Sequence, residues 1–219
     1  MTTHAQEGSL RTSAEVTRRL EALKNAARQP GEAQFFWFDT QFQKVAVKVL
    51  PGEYAAYSED VMIATTLGSC IACCVWDRES HVGGMNHFML PDGSGEGGGR
   101  FGAYAMEQLI NAVLKMGARR LSLEAKLFGG GQVLAGMTTM NIGERNTQFA
   151  LDYLRTERIP VVSSDVLDIY PRKVAFLPVS GRAMVKRLPG SQGHAISREE
   201  RQAQAVVGAG AGAGAVELF

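Results

Sequence analysis

The sequence predicts a mixed α/β domain with polar extensions at both ends, and three observations lead to this class. The chain has 219 residues, of which 45% are hydrophobic and 21% charged, enough apolar material for one sizeable core. Its central part alternates short β-like runs with segments of helical periodicity. Its ends are polar or glycine-rich, so we expect an arm at 1–34, one folded domain at 35–189 and a flexible tail at 190–219.

Composition excludes several classes of protein. The formal net charge is +1, which gives the chain as a whole no electrostatic reason to bind nucleic acid. No run approaches the roughly 20 apolar residues of a membrane span, and the N-terminus lacks the apolar core of a signal peptide. Three cysteines are too few, and odd in number, for a disulfide framework. The sequence therefore predicts a cytoplasmic protein with reduced thiols.

The elements follow from periodicity and from turn residues. An amphipathic helix is predicted at 14–27, because apolar residues recur there at helical spacing until Pro30 and Gly31 end it. A helix with one apolar stripe is expected at 101–116, and a third is expected to begin after Asn141. Apolar or alternating runs predict strands at 44–50, 53–57, 61–67, 71–76, 81–90, 121–128, 159–163, 173–178 and 182–188.

The chain has 25 glycines, more than is usual for its length, and the excess lies in two parts of the sequence. One part lies in the tail, in the glycine–alanine tract 208–214. The other part lies in a predicted loop at 93–99 and in the triplet 129–131, which follows a strand. A phosphate loop is one interpretation of the triplet, but no Lys-Ser/Thr pair follows at the required spacing. A tight turn that lines a cleft is therefore favoured.

The three cysteines lie close together, at Cys70, Cys73 and Cys74. A redox pair requires adjacent sulfurs, whereas residues three apart in a strand point to opposite faces. A structural zinc site requires a second ligand pair, and the sequence offers none at suitable spacing. We expect Cys73 and Cys74 to be core residues. Cys70 differs because it follows a break at Gly68-Ser69, where free backbone N–H groups can stabilise a thiolate or an oxyanion.

Strand register supplies a partner for Cys70. If 70–76 and 81–90 form an antiparallel hairpin, Cys74 lies opposite Gly83 and Cys70 lies opposite His87. Directly opposed residues share one face of a sheet, so the thiol and the imidazole are expected side by side. Such a pair suits a nucleophile activated by a general base. The alternative is that His87 is a hydrogen-bonded strand histidine without a catalytic role.

Several separated blocks of sequence resemble one known family, the chemoreceptor glutamine deamidases called CheD. The blocks occur in the family's order between about residues 49 and 188, and they are Thr66–Cys70, Gly83–Pro91, Arg100–Gly102, Ala125–Gly130 and Asn141–Asn146. The resemblance implies an α/β/α three-layer sandwich related to bacterial deamidase toxin domains. It also implies hydrolysis of particular glutamine side chains on methyl-accepting chemotaxis receptors to glutamate.

Carried over by residue, the family's nucleophile falls on Cys70 and its histidine on His87. A threonine of the family falls on Thr65, with Thr66 as the alternative. Three further residues are expected to line the cleft or to bind the oxyanion: Ser69, Gly68 and Asn86. The sequence departs from the family at 165–172, where a glycine pair after an acidic residue is missing.

The implied reaction proceeds through a thioester and needs no metal or organic cofactor. Chemotaxis receptors are the expected partners, and a CheC-type phosphatase is a further one that the resemblance suggests. Two other functions stay open at this point. The chain could be a non-catalytic adaptor that binds receptors or a phosphatase, or its cysteine could serve transglutaminase or thiol protease chemistry.

Overall fold

The computed structural model describes residues 13–90, 96–133 and 142–211. Four helices and ten strands lie in these ranges. The helices are α1 (Ser13–Asn25), α2 (Glu96–Lys115), α3 (Ile142–Thr156) and α4 (Gly193–Ala211). The strands are β1 (Phe35–Asp39), β2 (Lys44–Lys48), β3 (Tyr54–Tyr57), β4 (Met62–Leu67), β5 (Ile71–Asp77), β6 (Val82–Asn86), β7 (Leu123–Gly129), β8 (Val161–Val166), β9 (Arg172–Leu177) and β10 (Arg182–Arg187).

The strands form two five-stranded sheets. The outer sheet has the order β1-β2-β4-β9-β10, and the inner sheet has the order β3-β6-β5-β7-β8. Most neighbouring strands are antiparallel, and the parallel pairs are β2 with β4 and β7 with β8. Strands β3 and β5 belong to the inner sheet, whereas β4 belongs to the outer sheet. The chain therefore crosses from the outer to the inner sheet immediately before β5, the strand that carries Cys73 and Cys74.

Two hydrophobic clusters hold the layers together. The first lies between the inner sheet and helices α2 and α3, and includes Val75, Leu109, Val113, Leu127 and Leu154. The second lies between the sheets, and includes Ile63, Ala72, Met85, Val174 and Phe176. The predicted mixed α/β class is confirmed. The strands form two sheets and not the single central sheet of the α/β/α expectation, with α2 and α3 against the inner sheet and α1 against β1 and β2 of the outer sheet.

Side-chain alternation along β4 decides which residues face the second cluster. Ile63 and Leu67 belong to that cluster, so Thr65 between them also points toward the inner sheet. Thr66 points to the opposite face and is half-buried. The hydroxyl of Thr65 therefore lies in the seam between the sheets, where a polar side chain needs a hydrogen-bond partner.

The hairpin β5–β6 exists, but its register differs from the prediction. Cys74 pairs with Met85 and an isolated bridge joins Ile71 to Phe88, so the pairing is displaced by two residues and Cys70 does not lie directly opposite His87. The turn begins one residue later than expected, because Asp77 stays in the strand and its carboxylate accepts the Glu79 N–H at 2.8 Å. A displacement of two residues keeps every side chain on its predicted face.

Two expectations about glycine-rich segments differ from the structure. Residues 96–99, expected in a loop, belong to α2, and the remainder of that predicted loop, 93–95, lies outside the described residues. Part of the expected flexible tail is helix α4, in which Ile196 and Glu200 are buried. Among the described residues, no helix combines the length and the apolarity needed to cross a membrane.

Candidate active site

A short loop, residues 68–70, connects β4 to β5 and forms the floor of the site. All three of its carbonyl oxygens point away from the site and are fixed by hydrogen bonds. The Gly131 N–H donates to the first at 2.8 Å, the Asn146 Nδ2 to the second at 2.9 Å and the Gly130 N–H to the third at 2.8 Å. With its carbonyls held outward, the loop turns its three N–H groups to the same side, as in an anion-binding backbone nest.

The glycine triplet 129–131 makes this arrangement possible. Gly129 has φ +107°, and a Cβ at this position would overlap the carbonyl of Cys70. Helix α3 approaches the same turn so closely that a Cβ on Gly143 would overlap the carbonyl of Gly130. The triplet is the tight turn at the cleft that the sequence favoured, and its function is to bring two backbones together.

His87 lies just after β6, and Thr65 orients its ring. The Thr65 hydroxyl donates to the carbonyl of Val49 at 2.7 Å, so its oxygen is left to accept from the ring N–H at Nδ1, 2.8 Å away. This hydrogen-bond network assigns the proton of the neutral ring to Nδ1 and a lone pair to Nε2. The Nε2 atom is buried and has no hydrogen-bond partner among the described residues.

Cys70 and His87 meet at the end of the seam between the sheets. The Cys70 thiol, a ring nitrogen of His87 and a carboxylate oxygen of Glu200 all lie within 4.8 Å of one another, and all three side chains are buried. Burial, together with the negative charge of Glu200 and a hydrogen bond to it, raises the pKa of the Cys70 thiol well above its usual value. The thiol is therefore protonated in this arrangement.

Glu200, on helix α4, fills the nest with its carboxylate. One oxygen accepts from the N–H of Gly68 at 2.7 Å and of Cys70 at 3.2 Å. The other accepts from the N–H of Ser69 at 3.0 Å and from the hydroxyl of Ser69 at 3.1 Å. The Nε2 atom of His87 lies 3.9 Å from the first oxygen, too far for a hydrogen bond. Three N–H groups and one hydroxyl thus surround a carboxylate that is only 2% exposed.

The carboxylate of Glu200 is ionised despite its burial. Burial disfavours the charged form, but His87 in its protonated form and the hydrogen bonds from the Gly68 N–H and Cys70 outweigh it, so the pKa of Glu200 lies below its usual value. A buried charge persists only where donors compensate it, and the nest supplies them. The site in this structure therefore binds an anion.

The other residues predicted for the site have different positions. Asn86 was expected in the cleft, and this was wrong: it faces α2, accepts the Cys73 N–H at 3.1 Å and donates to the carbonyl of Ala105 at 2.9 Å. Strand alternation explains this, since Asn86 directly precedes His87 and must point to the opposite face. Cys73 and Cys74 are buried core residues, as predicted, and they pack in different clusters.

Two residues of the site were not predicted. Asn146 holds loop 68–70 and also accepts the Leu90 N–H at 2.9 Å, which fastens the segment after β6 to the same helix. Glu200 comes from the expected tail. Its signal was the spacing of Ile196, Ser197 and Glu200, which places all three on one face of a helix, but the glycine–alanine tract that follows outweighed it.

A cavity of about 340 Å³ opens beside the site, between β4, the segment after β2 and helix α4. Thr65, His87 and Glu200 form part of its wall. Cys70, His87 and Glu200 also form a donor set of the kind that zinc prefers.

Comparison with known proteins supplies a family context. A family model described as "CheD chemotactic sensory transduction" matches residues 89–187. A protein of Albidiferax ferrireducens named "Probable chemoreceptor glutamine deamidase CheD 1" is 60% identical over 203 residues, which cover 92% of this chain and 87% of that protein. A protein of Thiobacillus denitrificans named "Probable chemoreceptor glutamine deamidase CheD" is 49% identical over 201 residues, which cover 89% of this chain and 100% of that protein.

A similarity among solved structures is much weaker. The Bacillus licheniformis hypothetical protein YfiH is 11% identical to this chain, with a TM-score of 0.35 over 71% of this chain and 69% of that one. A score this low supports no argument about the fold.

Proposed function

The chain belongs to the CheD family, and from that premise we propose that it hydrolyses the side-chain amide of glutamine residues on chemotaxis receptors to glutamate. The observation that carries the proposal is the meeting of Cys70 and His87 beside three inward-pointing N–H groups. A nucleophile, a base and an oxyanion-binding nest are the parts that acyl transfer requires.

In the proposed reaction Cys70 is the nucleophile and His87 moves the protons. The Nε2 lone pair of His87 takes the thiol proton, and the sulfur attacks the amide carbon of the substrate. The C–N bond then breaks, His87 gives its proton to the departing nitrogen, and ammonia leaves a γ-glutamyl thioester on Cys70. Water loses a proton to His87 and attacks the thioester, which releases glutamate and restores the thiol.

The nest stabilises the negative charge that develops on the substrate oxygen. The N–H groups of Gly68, Ser69 and Cys70 are fixed before the reaction, so they need little reorganisation when the charge appears. Removal of one such donor in comparable sites costs about 3–4 kcal/mol of transition-state stabilisation. The roles of Gly68 and Ser69 in this proposal rest on that geometry.

Thr65 is proposed as a positioning residue. Its hydroxyl can accept from Nδ1 only because it donates to the carbonyl of Val49, and this chain of bonds keeps Nε2 free for the thiol proton. The third residue of a catalytic triad acts in the same way, by holding one tautomer of the histidine. The proposed steps use no metal and no organic cofactor.

The finer expectations about partners and kinship belong to the same proposal. Methyl-accepting receptors are proposed as substrates, and a CheC-type phosphatase as a further partner, on the strength of family membership. Kinship with bacterial deamidase toxin domains is proposed because a cysteine and a histidine meet here at one end of a two-sheet core. A superposition on a toxin domain that brings the two residue pairs into coincidence would support that kinship.

The test is deamidation of a purified receptor by the full chain. Mass spectrometry of receptor peptides is expected to find glutamines converted to glutamates by the wild-type protein, with or without a chelator, and none converted by Cys70→Ala. Ammonia release without peptide cleavage or amine incorporation distinguishes deamidation from protease and transglutaminase chemistry. Unchanged conversion by Cys70→Ala would remove the proposed nucleophile. A wild-type chain that binds receptor without converting it would indicate the adaptor function instead.

A further inference from the structure

The nest that the proposed reaction needs is already occupied by a side chain of the same protein. Glu200 reaches across 130 residues of sequence to the loop 68–70 and uses all three of its N–H groups. A nest that is filled by a buried carboxylate offers no free donor to a substrate. Whatever binds there must first displace Glu200.

The occupant has the chemistry of the product. A glutamate side chain is what remains when the amide of a glutamine is hydrolysed, and the two side chains have the same length and the same planar end group. The carboxylate oxygens of Glu200 lie where the proposed mechanism requires the substrate oxygen, beside the Cys70 thiol and the unpartnered Nε2 of His87. Glu200 is presented to the nest from a helix, α4.

The surroundings of Glu200 fit a docked segment. Next to the nest, Ile196 of α4 is only 8% exposed. Its side chain packs near Gly68, and a Cβ added to Gly68 would lie 3.3 Å from the Ile196 side chain. Gly193 lies so close to the backbone of Val133 that a Cβ there would lie 2.6 Å from its carbonyl oxygen. The opposite face of α4 is exposed to solvent and carries His194, Arg198 and Glu199.

We propose that loop 68–70 is a binding site for the carboxyl or carboxamide end of a Glu or Gln side chain, and that Glu200 is its intramolecular ligand. Helix α4 inserts Glu200 as a product mimic, and a receptor glutamine competes with it for the nest. This inference rests on the proposed deamidase function. Burial and, after it, the charge of Glu200 raise the pKa of the adjacent thiol, so the occupied site is a resting state.

The proposal has a direct chemical consequence. If residue 200 were glutamine, its carboxamide would lie in the nest beside Cys70, and the chain would be its own substrate. Cys70 would displace ammonia from that carboxamide to form a thioester, and water would hydrolyse the thioester to a glutamate side chain. The reaction consumes one water, releases one ammonia and regenerates the wild-type sequence.

The experiment is to express the full chain with Glu200→Gln and to identify residue 200 by peptide mass spectrometry. We expect glutamate at this position although the gene encodes glutamine. The double variant Cys70→Ala/Glu200→Gln is expected to retain glutamine. Glu199→Gln is the matched control, because Glu199 precedes Glu200 on α4 but is exposed. It is expected to retain glutamine in a protein with Cys70 intact.

A second measurement follows competition with the receptor. Glu200→Ala is expected to lower KM for receptor deamidation by about tenfold, because a site that is open in only about one molecule in ten binds about tenfold more weakly. Thermal unfolding of each variant verifies that it is folded. An unchanged KM, or glutamine that persists at position 200 in a variant that still deamidates receptor, overturns the proposal. A wild-type chain that does not deamidate the receptor would instead overturn the proposed function.

Discussion

Thr65 orients the ring of His87 through the direction of one hydroxyl proton. The proton goes to the carbonyl of Val49, so the oxygen of Thr65 accepts from His87 and the lone pair of the ring faces Cys70. Thr66 is adjacent in sequence but faces away from the seam, so it offers no substitute. The position of a single side chain on one strand thus decides which tautomer is available to the reaction.

We predict that Thr65→Val lowers kcat for receptor deamidation by about tenfold or more, because the valine cannot hold the Nδ1–H and the wrong tautomer becomes accessible. Thr65→Ser keeps the hydroxyl and is expected to retain most of the activity. Steady-state kinetics of both variants provide the measurement, with thermal unfolding as the control for folding. Equal losses in the serine and valine variants would contradict the orienting role of the hydroxyl.

Glu200 makes the stability of the chain depend on pH in a defined direction. Its pKa in the folded chain lies below the usual value of 4.5, so the unfolded chain binds more protons in acid. The stabilisation from its carboxylate is complete above the unfolded pKa and is lost as the pH falls through the folded pKa. Glutamine at this position does not titrate in that range.

We therefore predict that Cys70→Ala is more stable than Cys70→Ala/Glu200→Gln by a constant amount above about pH 5.5, and that this difference shrinks at lower pH. The Cys70→Ala background prevents any conversion of the introduced glutamine. Urea unfolding at a series of pH values measures the free energies. Parallel pH profiles for the two proteins would mean that Glu200 does not titrate with the depressed pKa.

At the scale of elements, the site depends on close approaches between backbones. The turn 129–131, the N-terminus of α3 and the loop 68–70 come together because glycines occupy the contact positions. Helix α3 also contributes Asn146, which fixes both the loop and the segment that carries His87. The nest is therefore assembled by three elements and not by the loop alone.

We predict that Gly143→Ala destabilises the chain by about 1–3 kcal/mol, because the new methyl group would overlap the carbonyl of Gly130 and push α3 from the turn. Gly99→Ala is the matched control: it also lies in the first turns of a helix, and a Cβ there meets no atom within 4 Å. That substitution is expected to stabilise slightly. Thermal unfolding of both variants checks the prediction, and equal effects would contradict it.

At the scale of the whole molecule, the packing of the two sheets aligns the site. Thr65 belongs to the outer sheet, whereas Cys70 and His87 flank strands of the inner sheet. The cluster between the sheets sets the distance from the Thr65 hydroxyl to the His87 ring. Phe176, fully buried on β9, is one of its largest members. Core packing at a distance from the site is thus part of its geometry.

We predict that Phe176→Ala costs about 3–5 kcal/mol of stability through the cavity that it leaves between the sheets. Phe35→Ala removes the same side chain from an edge strand where it is 60% exposed, and is expected to cost about 0.5 kcal/mol. Urea unfolding measures both. A similar cost for the two substitutions would contradict the role of Phe176 in packing the two sheets together.

Local patterns in the sequence determined most of the elements and the faces of their side chains. Alternation placed Cys70, directly before β5, and Cys73, on β5, on opposite faces, and this does not depend on exact register, because a displacement of two residues leaves the faces unchanged. For the same reason the sequence brought Cys70 and His87 to one face. Asn86 was expected in the cleft, but the alternation that places His87 in the seam turns Asn86 away from it.

Only the tertiary structure decided how separate segments meet. It selected Thr65 over Thr66, because the choice depends on which face of β4 covers the inner sheet. It also placed Asn146 and Glu200 at loop 68–70, across 77 and 131 residues of sequence. Local periodicity carries no information about such partners, since a buried glutamate on a helix gains its stability from N–H groups that only the folded loop presents. The sequence by itself therefore determined the face on which Cys70 lies, and the packing of distant segments determined what occupies the site.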